Sequence, residues 1–289
     1  LGFGFALAYA GAVQAAPRSL KDVKYASAGA TPLLCDVYLP EGGAHPAGMI
    51  IWVHGGAWRA GSRSSVELLG MTARGWALAS VDYRLSTTAK FPAQIFDIKA
   101  AIRFLRAHAA EYGYPPDRFV IAGSSAGAHL AALVGVSNGE RDLEGTLGDN
   151  PGVSSDVQAI VSLYGASNLT SILSQSTPHG LEVRVPALEL LLGGAPDRVP
   201  ELARLASPVF HVDAGDPPLL LFHGDQDQQM PINQSHELEG VYEKLKLPVR
   251  FVVVHGSGHG GPAFTAPQNL DLIDAFLRQQ FASLAARKP

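Results

Sequence analysis

The sequence feature that most restricts the fold is a series of short apolar runs, each as long as a β-strand and separated by longer mixed stretches. The runs lie at Met49–Val53, Trp76–Val81, Phe119–Ala122, Val157–Leu163, Pro218–Phe222 and Val249–Val254. Continuous apolar strands are typical of parallel sheets, because helices cover both faces. The order predicts an α/β fold with a mostly parallel central sheet and helices on both faces.

Polar residues within the patterned segments give two further predictions. Segments 23–27 and 33–39 predict an early hairpin, half-exposed because Asp36 and Tyr38 alternate with apolar neighbours. Apolar residues recur from Ile95 to Leu105 at helical spacing, and Lys99 and Arg103 lie outside that stripe, which predicts a polar outer face. Gly113 is predicted to end this helix.

The chain is predicted to form one domain over residues 17–289, since no linker or fixed-period repeat interrupts it. Residues 1–16 are predicted to be a signal peptide with a truncated basic start, because an uncharged apolar stretch ends in small residues. An apolar N-terminal helix is the alternative. The prediction implies export to the periplasm or the extracellular space. Residues 166–207 combine helical fragments with Gly and Pro breaks and predict a small insertion over the active site.

The charge and the cysteine content limit the classes of partner that the sequence allows. The formal net charge is −4 and no run of basic residues occurs, which argues against nucleic acid as a partner. No segment has the roughly 20 apolar residues that a membrane span needs. Cys35 is the single cysteine, so it cannot form an intrachain disulfide, and its place in an apolar strand predicts a small buried side chain.

The strongest chemical motif is Gly123-Ser124-Ser125-Ala126-Gly127, which directly follows a predicted strand and precedes a predicted helix. A serine in this context sits on a tight turn with its hydroxyl exposed above the sheet. Ser125 has glycines two residues away on both sides, whereas Ser124 has alanines there. Ser125 is therefore the predicted nucleophile.

A second motif, His54-Gly55-Gly56-Ala57-Trp58, follows the strand that ends at Val53. It resembles the HGG oxyanion motif of esterases with the α/β-hydrolase fold, in which backbone N–H groups stabilise a charged oxygen. The resemblance implies that Gly56, Ala57 and Ala126 supply the donors. A simple Gly-Gly turn is the alternative. His54 is predicted to be structural, and Trp58 either lines the substrate pocket or packs in the core.

In that fold the acid and then the histidine follow the serine along the chain. Asp225 and Asp227 both follow a strand, at the end where ligands bind in open α/β sheets. Asp227 is chosen because the segment resembles H-G-x-x-D followed by proline, and Asp225 then satisfies backbone N–H groups. His259 lies among glycines and is preferred as the base over His255 at the strand end.

Together these motifs resemble the esterase and lipase-like α/β-hydrolases of the BD-FAE group, a family named after bacterial feruloyl esterases. Further motifs agree in order: Asp82-Tyr83-Arg84-Leu85, Phe91-Pro92-Ala93-Gln94, Pro116-Asp117-Arg118 and Ala206-Ser207-Pro208. Two departures are Ala128, where many relatives have glycine, and Gln228-Gln229-Met230, which replaces a more usual Pro-Val-Val.

The resemblance implies a serine carboxylesterase with a Ser-His-Asp triad that needs no metal or organic cofactor. Its expected substrates are acetyl, short acyl or hydroxycinnamoyl esters, either small or linked to polysaccharide; the motifs specify no oligomeric state. An amide or formamide hydrolase and a non-catalytic binding protein of the same fold are the alternatives.

Overall fold

The computed structural model describes residues 18–40 and 45–286, and within them eight strands form one sheet in the order β1-β2-β4-β3-β5-β6-β7-β8. The strands are β1 (Arg18–Ala28), β2 (Thr31–Leu39), β3 (Met49–Val53), β4 (Ala77–Val81), β5 (Phe119–Ser124), β6 (Ala159–Leu163), β7 (Leu219–Gly224) and β8 (Val249–Val254). The pairs β1–β2 and β2–β4 are antiparallel, and the other pairs are parallel. The carboxyl ends of β3 to β8 therefore meet at one edge.

Helices cover both faces of the sheet. They are α1 (Ala93–Ala107), α2 (Ala109–Tyr112), α3 (Ala126–Gly135), α4 (Ile172–Gln175), α5 (Pro178–Leu192), α6 (Pro200–Leu205), α7 (Asn233–Lys244) and α8 (Pro267–Ala286). Short 3₁₀ turns lie at Glu67–Arg74, Arg141–Leu143, Pro208–Phe210 and Pro262–Thr265. On β3, Ile51 and Val53 belong to the core that includes α1 and α3, whereas Ile50 and Trp52 face α8. This two-sided burial explains the unbroken apolar runs in the sequence.

The predicted fold class is confirmed: the chain has an α/β-hydrolase fold with a mostly parallel sheet. The predictions for β3 and β8 match the observed bounds. The predicted hairpin is present and β1 is largely exposed, but the predicted exposure of Asp36 and Tyr38 on β2 is wrong, because both are buried. Strand β2 lies inside the sheet, and Asp36 accepts hydrogen bonds from Lys21 Nζ at 2.9 Å and Arg63 Nε at 3.1 Å.

The predicted outer face of α1 is also wrong at Lys99 and Arg103, which are both buried. Lys99 Nζ donates to the Ser137 carbonyl at 2.7 Å, and Arg103 Nη2 donates to the Leu147 carbonyl at 2.7 Å. The segment after α3 folds over this part of the helix, so these cations bind carbonyl groups where solvent was expected. The helix also ends earlier than predicted, at Ala107, and Gly113 ends the short α2 that follows.

Residues 166–207 lie between β6 and β7 and contain α4, α5 and α6. That they cover the active site stays a prediction. The predicted signal peptide at residues 1–16 lies outside the described residues. In the described part of the chain, no helix is both long enough and apolar enough to cross a bilayer.

Candidate active site

A cleft of about 500 Å³ opens where the parallel strands end. Its lining comes from the loops after β3, β5, β6, β7 and β8 and from the turn that begins at Glu67. The side chains there are small or polar, among them Arg59, Ser65, Glu67 and Gln229. The sheet topology thus brings segments that are far apart in sequence to one opening, as in other open α/β folds.

Ser125 occupies the sharp turn between β5 and α3. Its φ of 52° and ψ of −120° are a conformation that side chains rarely adopt. The flanking glycines are required sterically: a Cβ at Gly123 would lie 2.5 Å from the Gly127 carbonyl carbon, and one at Gly127 would lie 2.1 Å from the Val53 oxygen. The Ser125 N–H donates to the Leu163 carbonyl at 2.9 Å, which ties the turn to β6. The backbone thus fixes the hydroxyl at the cleft.

The loop after β3 packs directly against this turn. A Cβ at Gly55 would lie 3.3 Å from the Ser125 Cβ, so a side chain there would crowd the serine. Gly56 has a φ of 109°, and Ala57 also has positive φ. In the described residues, no protein acceptor takes up the N–H groups of Gly56, Ala57 and Ala126. These predicted donors therefore remain available for a ligand, and the N-terminus of α3 favours negative charge beside Ala126.

Asp227 lies in the loop after β7 and is almost wholly buried. Its Oδ1 accepts hydrogen bonds from the backbone N–H groups of Gln229 and Met230, each at 2.8 Å. Burial acts to raise the carboxyl pKa, but hydrogen bonds from His223 and His259 outweigh it and hold the pKa well below its usual value. The side chain is therefore a carboxylate throughout the neutral range.

His259 lies in the glycine-rich loop after β8 and joins the other two residues. Its Nδ1 donates to Asp227 Oδ2 at 2.7 Å, and its Nε2 lies 2.8 Å from Ser125 Oγ, in position to accept the hydroxyl proton. A Cβ at Gly260 would lie 3.1 Å from the Tyr164 hydroxyl, so the glycine keeps the loop close to the cleft. The structure thus brings together the three residues predicted as nucleophile, acid and base.

The alternative residues form a separate pair. His255 Nδ1 donates to Asp225 Oδ2 at 2.8 Å, and Asp225 Oδ1 accepts from the Gly256 N–H at 2.8 Å. The His255 side chain is 82% exposed, compared with 15% for His259. Asp225 thus accepts a hydrogen bond from a backbone N–H, as predicted.

Trp58 does not line the cleft, so its predicted pocket role is wrong and the core alternative holds. Its Nε1 donates to His129 Nδ1 at 3.1 Å, and burial lowers the pKa of His129 to about 4, which keeps that acceptor neutral. His54 is buried, stacks on the Tyr83 ring and donates a hydrogen bond from Nδ1 to the Gly55 carbonyl at 2.7 Å, so it orders the loop after β3, as predicted. Cys35 is a buried free cysteine, also as predicted.

Sequence analysis missed Tyr164, which follows β6 directly. Its ring contacts the His259 ring edge-on, with centroids 4.9 Å apart, and its hydroxyl donates to Glu67 Oε2 at 2.8 Å. The sequence contained a signal for Tyr164, because it follows an apolar run, as do the segments that contain Ser125, Asp227 and His259. The fully buried His223 was missed as well; its Nε2 lies 3.4 Å from Asp227 Oδ2.

Sequence comparison finds esterases among the relatives. The chain is 34% identical over 220 residues to esterase LipC of Mycobacterium tuberculosis, covering 74% of this chain and 53% of that protein. It is 31% identical over 229 residues to a probable isoprenylcysteine alpha-carbonyl methylesterase of Arabidopsis thaliana, covering 78% of this chain and 48% of that protein. The chain thus spans about half the length of these relatives.

Structural comparison gives longer matches. A truncated carbohydrate esterase from gut microbiota superposes with a TM-score of 0.83 at 32% identity, covering 93% of this chain and 98% of that one. Esterase 2 of Thermogutta terrifontis superposes with a TM-score of 0.72 at 26% identity, covering 92% of both chains.

The fold and the loops at its carboxyl edge define an α/β-hydrolase. The BD-FAE family model matches residues 35–245, which include the oxyanion motif, the serine turn and the Asp227 loop. The chain belongs to the BD-FAE family.

Proposed function

We propose that this chain is a serine carboxylesterase that forms an acyl-enzyme on Ser125. The observation that carries the proposal is the chain of contacts from Ser125 Oγ to His259 Nε2, at 2.8 Å, and from His259 Nδ1 to Asp227 Oδ2, at 2.7 Å. A hydroxyl bonded to a neutral imidazole, which is oriented by a buried carboxylate, is the arrangement that activates serine for attack. Esterases among the relatives and structural neighbours support the same reaction class.

In the first half of the reaction, His259 takes the proton from Ser125 as Oγ attacks the ester carbonyl carbon. The carbonyl oxygen gains negative charge and accepts hydrogen bonds from the N–H groups of Gly56, Ala57 and Ala126. When the tetrahedral intermediate collapses, the bond to the alcohol oxygen breaks, and His259 gives its proton to the departing alkoxide. Asp227 stabilises the imidazolium in between.

In the second half, His259 takes a proton from water, and the resulting hydroxide attacks the acyl carbon bound to Ser125. The bond to Oγ breaks, Oγ regains the proton from His259, and the carboxylic acid leaves. Ester and water are thus converted to acid and alcohol.

The proposed substrates are acetyl, short acyl or hydroxycinnamoyl esters, including esters carried by carbohydrate. The cleft wall supports a polar alcohol group, because its longer side chains are Arg59, Glu67, Tyr164 and Gln229. Two neighbours support this class: one is described as a carbohydrate esterase and another as an acetyl ester-xyloside bifunctional hydrolase of Caldicellulosiruptor lactoaceticus.

The test is covalent labelling with a fluorophosphonate probe, together with turnover of p-nitrophenyl acetate, acetylated xylan and methyl ferulate. Ser125→Ala should abolish labelling and lower kcat by about 10⁶-fold, because the nucleophile is lost. Ser124→Ala is the matched control and should still be labelled. Labelling that persists in Ser125→Ala would contradict the assignment, turnover of amides alone would indicate an amide hydrolase, and a wild type without labelling or turnover would indicate a binding protein.

A further inference from the structure

One helix, α5, holds the loop that carries Asp227. The carboxylate orientation depends on the N–H groups of Gln229 and Met230, so it depends on where this loop lies. Helix α5 contacts the loop through its N-cap residue Thr177 and through Gly180 and Arg184 in its first two turns. Thr177 Oγ1 donates to the Gln228 carbonyl at 2.6 Å, and Arg184 Nη2 donates to the Gln229 carbonyl at 2.9 Å.

Gly180 lets the helix approach the loop closely. A Cβ at this position would lie 3.1 Å from the Gln229 oxygen and 3.2 Å from the Gln228 oxygen, tighter than most side-chain contacts. The helix and the loop are therefore packed backbone to backbone, and a shift of α5 would move the N–H groups that bind Asp227.

Arg184 is an unusual residue for such a contact. Its side chain is fully buried, yet Nε and Nη1 have no hydrogen-bond partner among residues 18–40 and 45–286. Burial lowers its pKa to about 10, so the guanidinium is still charged at neutral pH, and the Asp227 charge opposes the shift. A buried cation with unused donors costs stability, and a side chain of similar size without charge would avoid that cost.

We propose that Arg184 is a positioning residue: its buried guanidinium fixes the Gln228–Met230 loop and thereby holds the Asp227 carboxylate against His259. The inference rests on the proposed function, because positioning matters only if these residues catalyse. In this proposal, α5, which lies within the predicted insertion at 166–207, holds the loop that carries Asp227.

The test measures kcat, KM and melting temperature of the full chain with p-nitrophenyl acetate. Arg184→Met keeps the side-chain length and removes the charge and the donors. We expect kcat to fall by up to about 10²-fold, as small displacements of catalytic groups can cause, while KM changes little. The melting temperature should stay the same or rise, because a buried charge is replaced by an apolar group.

The split between kcat and KM, together with rescue by a conservative variant, gives a readout that a merely structural role would not move. Arg184→Lys keeps a positive charge and can still donate to the Gln229 carbonyl, so it should recover most of the kcat that Arg184→Met loses.

Arg103→Met is the matched control, because it removes another buried arginine, on α1 and bonded to Glu144 and Leu147. It should lower the melting temperature while kcat stays unchanged. If Arg184→Met does not fold, Thr177→Val removes the other side-chain contact to the loop and should lower kcat. Wild-type kcat in Arg184→Met, or in Thr177→Val where Arg184→Met does not fold, would overturn the inference, whereas an inactive wild type would overturn the proposed function.

Discussion

Two aspartate–histidine pairs lie on the same two loops of this protein and differ mainly in burial. Asp225–His255 and Asp227–His259 have nearly equal contact lengths, 2.8 Å and 2.7 Å, and both use Nδ1 and Oδ2. In the first pair, the His255 side chain is 82% exposed and the Asp225 side chain 30% exposed. In the second pair, the corresponding values are 15% for His259 and 0% for Asp227. Only His259 has its second ring nitrogen beside a serine hydroxyl.

A contact between a carboxylate and a histidine is therefore not sufficient to place a histidine where it can act as a base. An exposed pair is screened by water and contributes little, whereas a buried carboxylate acts strongly on its neighbour. The second oxygen also differs: Asp227 Oδ1 binds two backbone N–H groups, and Asp225 Oδ1 binds one. The buried pair is therefore held in place, and its free nitrogen points at a nucleophile.

The largest expected effect comes from replacing the histidine of each pair by alanine. His259→Ala should lower kcat by about 10⁶-fold, because the serine loses its base. His255→Ala, the matched change in the exposed pair, should leave kcat/KM at the wild-type value. Initial rates with p-nitrophenyl acetate measure both, and similar losses in the two variants would show that burial does not separate the pairs.

A smaller effect is expected at the carboxylates. Asp227→Asn should lower kcat by about 10⁴-fold, as loss of the acid does in other triad enzymes. The amide can donate to Nδ1, which would leave the ring proton on Nε2, where it cannot accept the serine proton. Asp225→Asn is the control and should retain full activity. Single-turnover acylation rates measure the step directly, and an active Asp227→Asn would remove the carboxylate from the mechanism.

The smallest effect concerns stability at low pH. Because the folded-state pKa of Asp227 is depressed, the unfolded chain binds the proton first, and the stabilisation is lost as pH falls through the folded pKa. It is fully present above the unfolded carboxyl pKa of about 3.9. The melting-temperature difference between wild type and Asp227→Asn should therefore stay constant above about pH 5 and shrink progressively as the pH falls below about 4. A constant difference would indicate that the charge of Asp227 adds no stability.

Local pattern was sufficient to predict the central strands, because each of them carries a run of mainly apolar residues. The motifs that follow these runs indicated Ser125 and His259, whereas the choice of Asp227 over Asp225 rested on a resemblance to a known motif. The structure brings the three residues together. The pattern gave wrong predictions where the burial of a residue depends on segments that are distant in the sequence. Lys99 and Arg103 appear solvent-facing by helical period, yet the segment after α3 covers them.

The same reason explains the positions that were missed or wrong. Nothing local in the sequence around Arg184 indicates that it contacts a loop forty-five residues further on. Trp58 ends the oxyanion motif, and it packs against His129 on α3, 71 residues further along the chain. Tyr164 was the exception, since its place after an apolar run was visible in the sequence.

Strand β8, which precedes the proposed base His259, is the last in the sheet order, and its residues from Val249 to Val253 are only partly buried or exposed. Edge strands are held by neighbours on one side and open at lower free energy than the centre. If β8 frays, His259 leaves Ser125 while the strands that hold the serine turn stay paired. On heating, activity should therefore be lost at a lower temperature than the one at which the whole protein unfolds. Cooling from that intermediate range should restore activity without complete refolding.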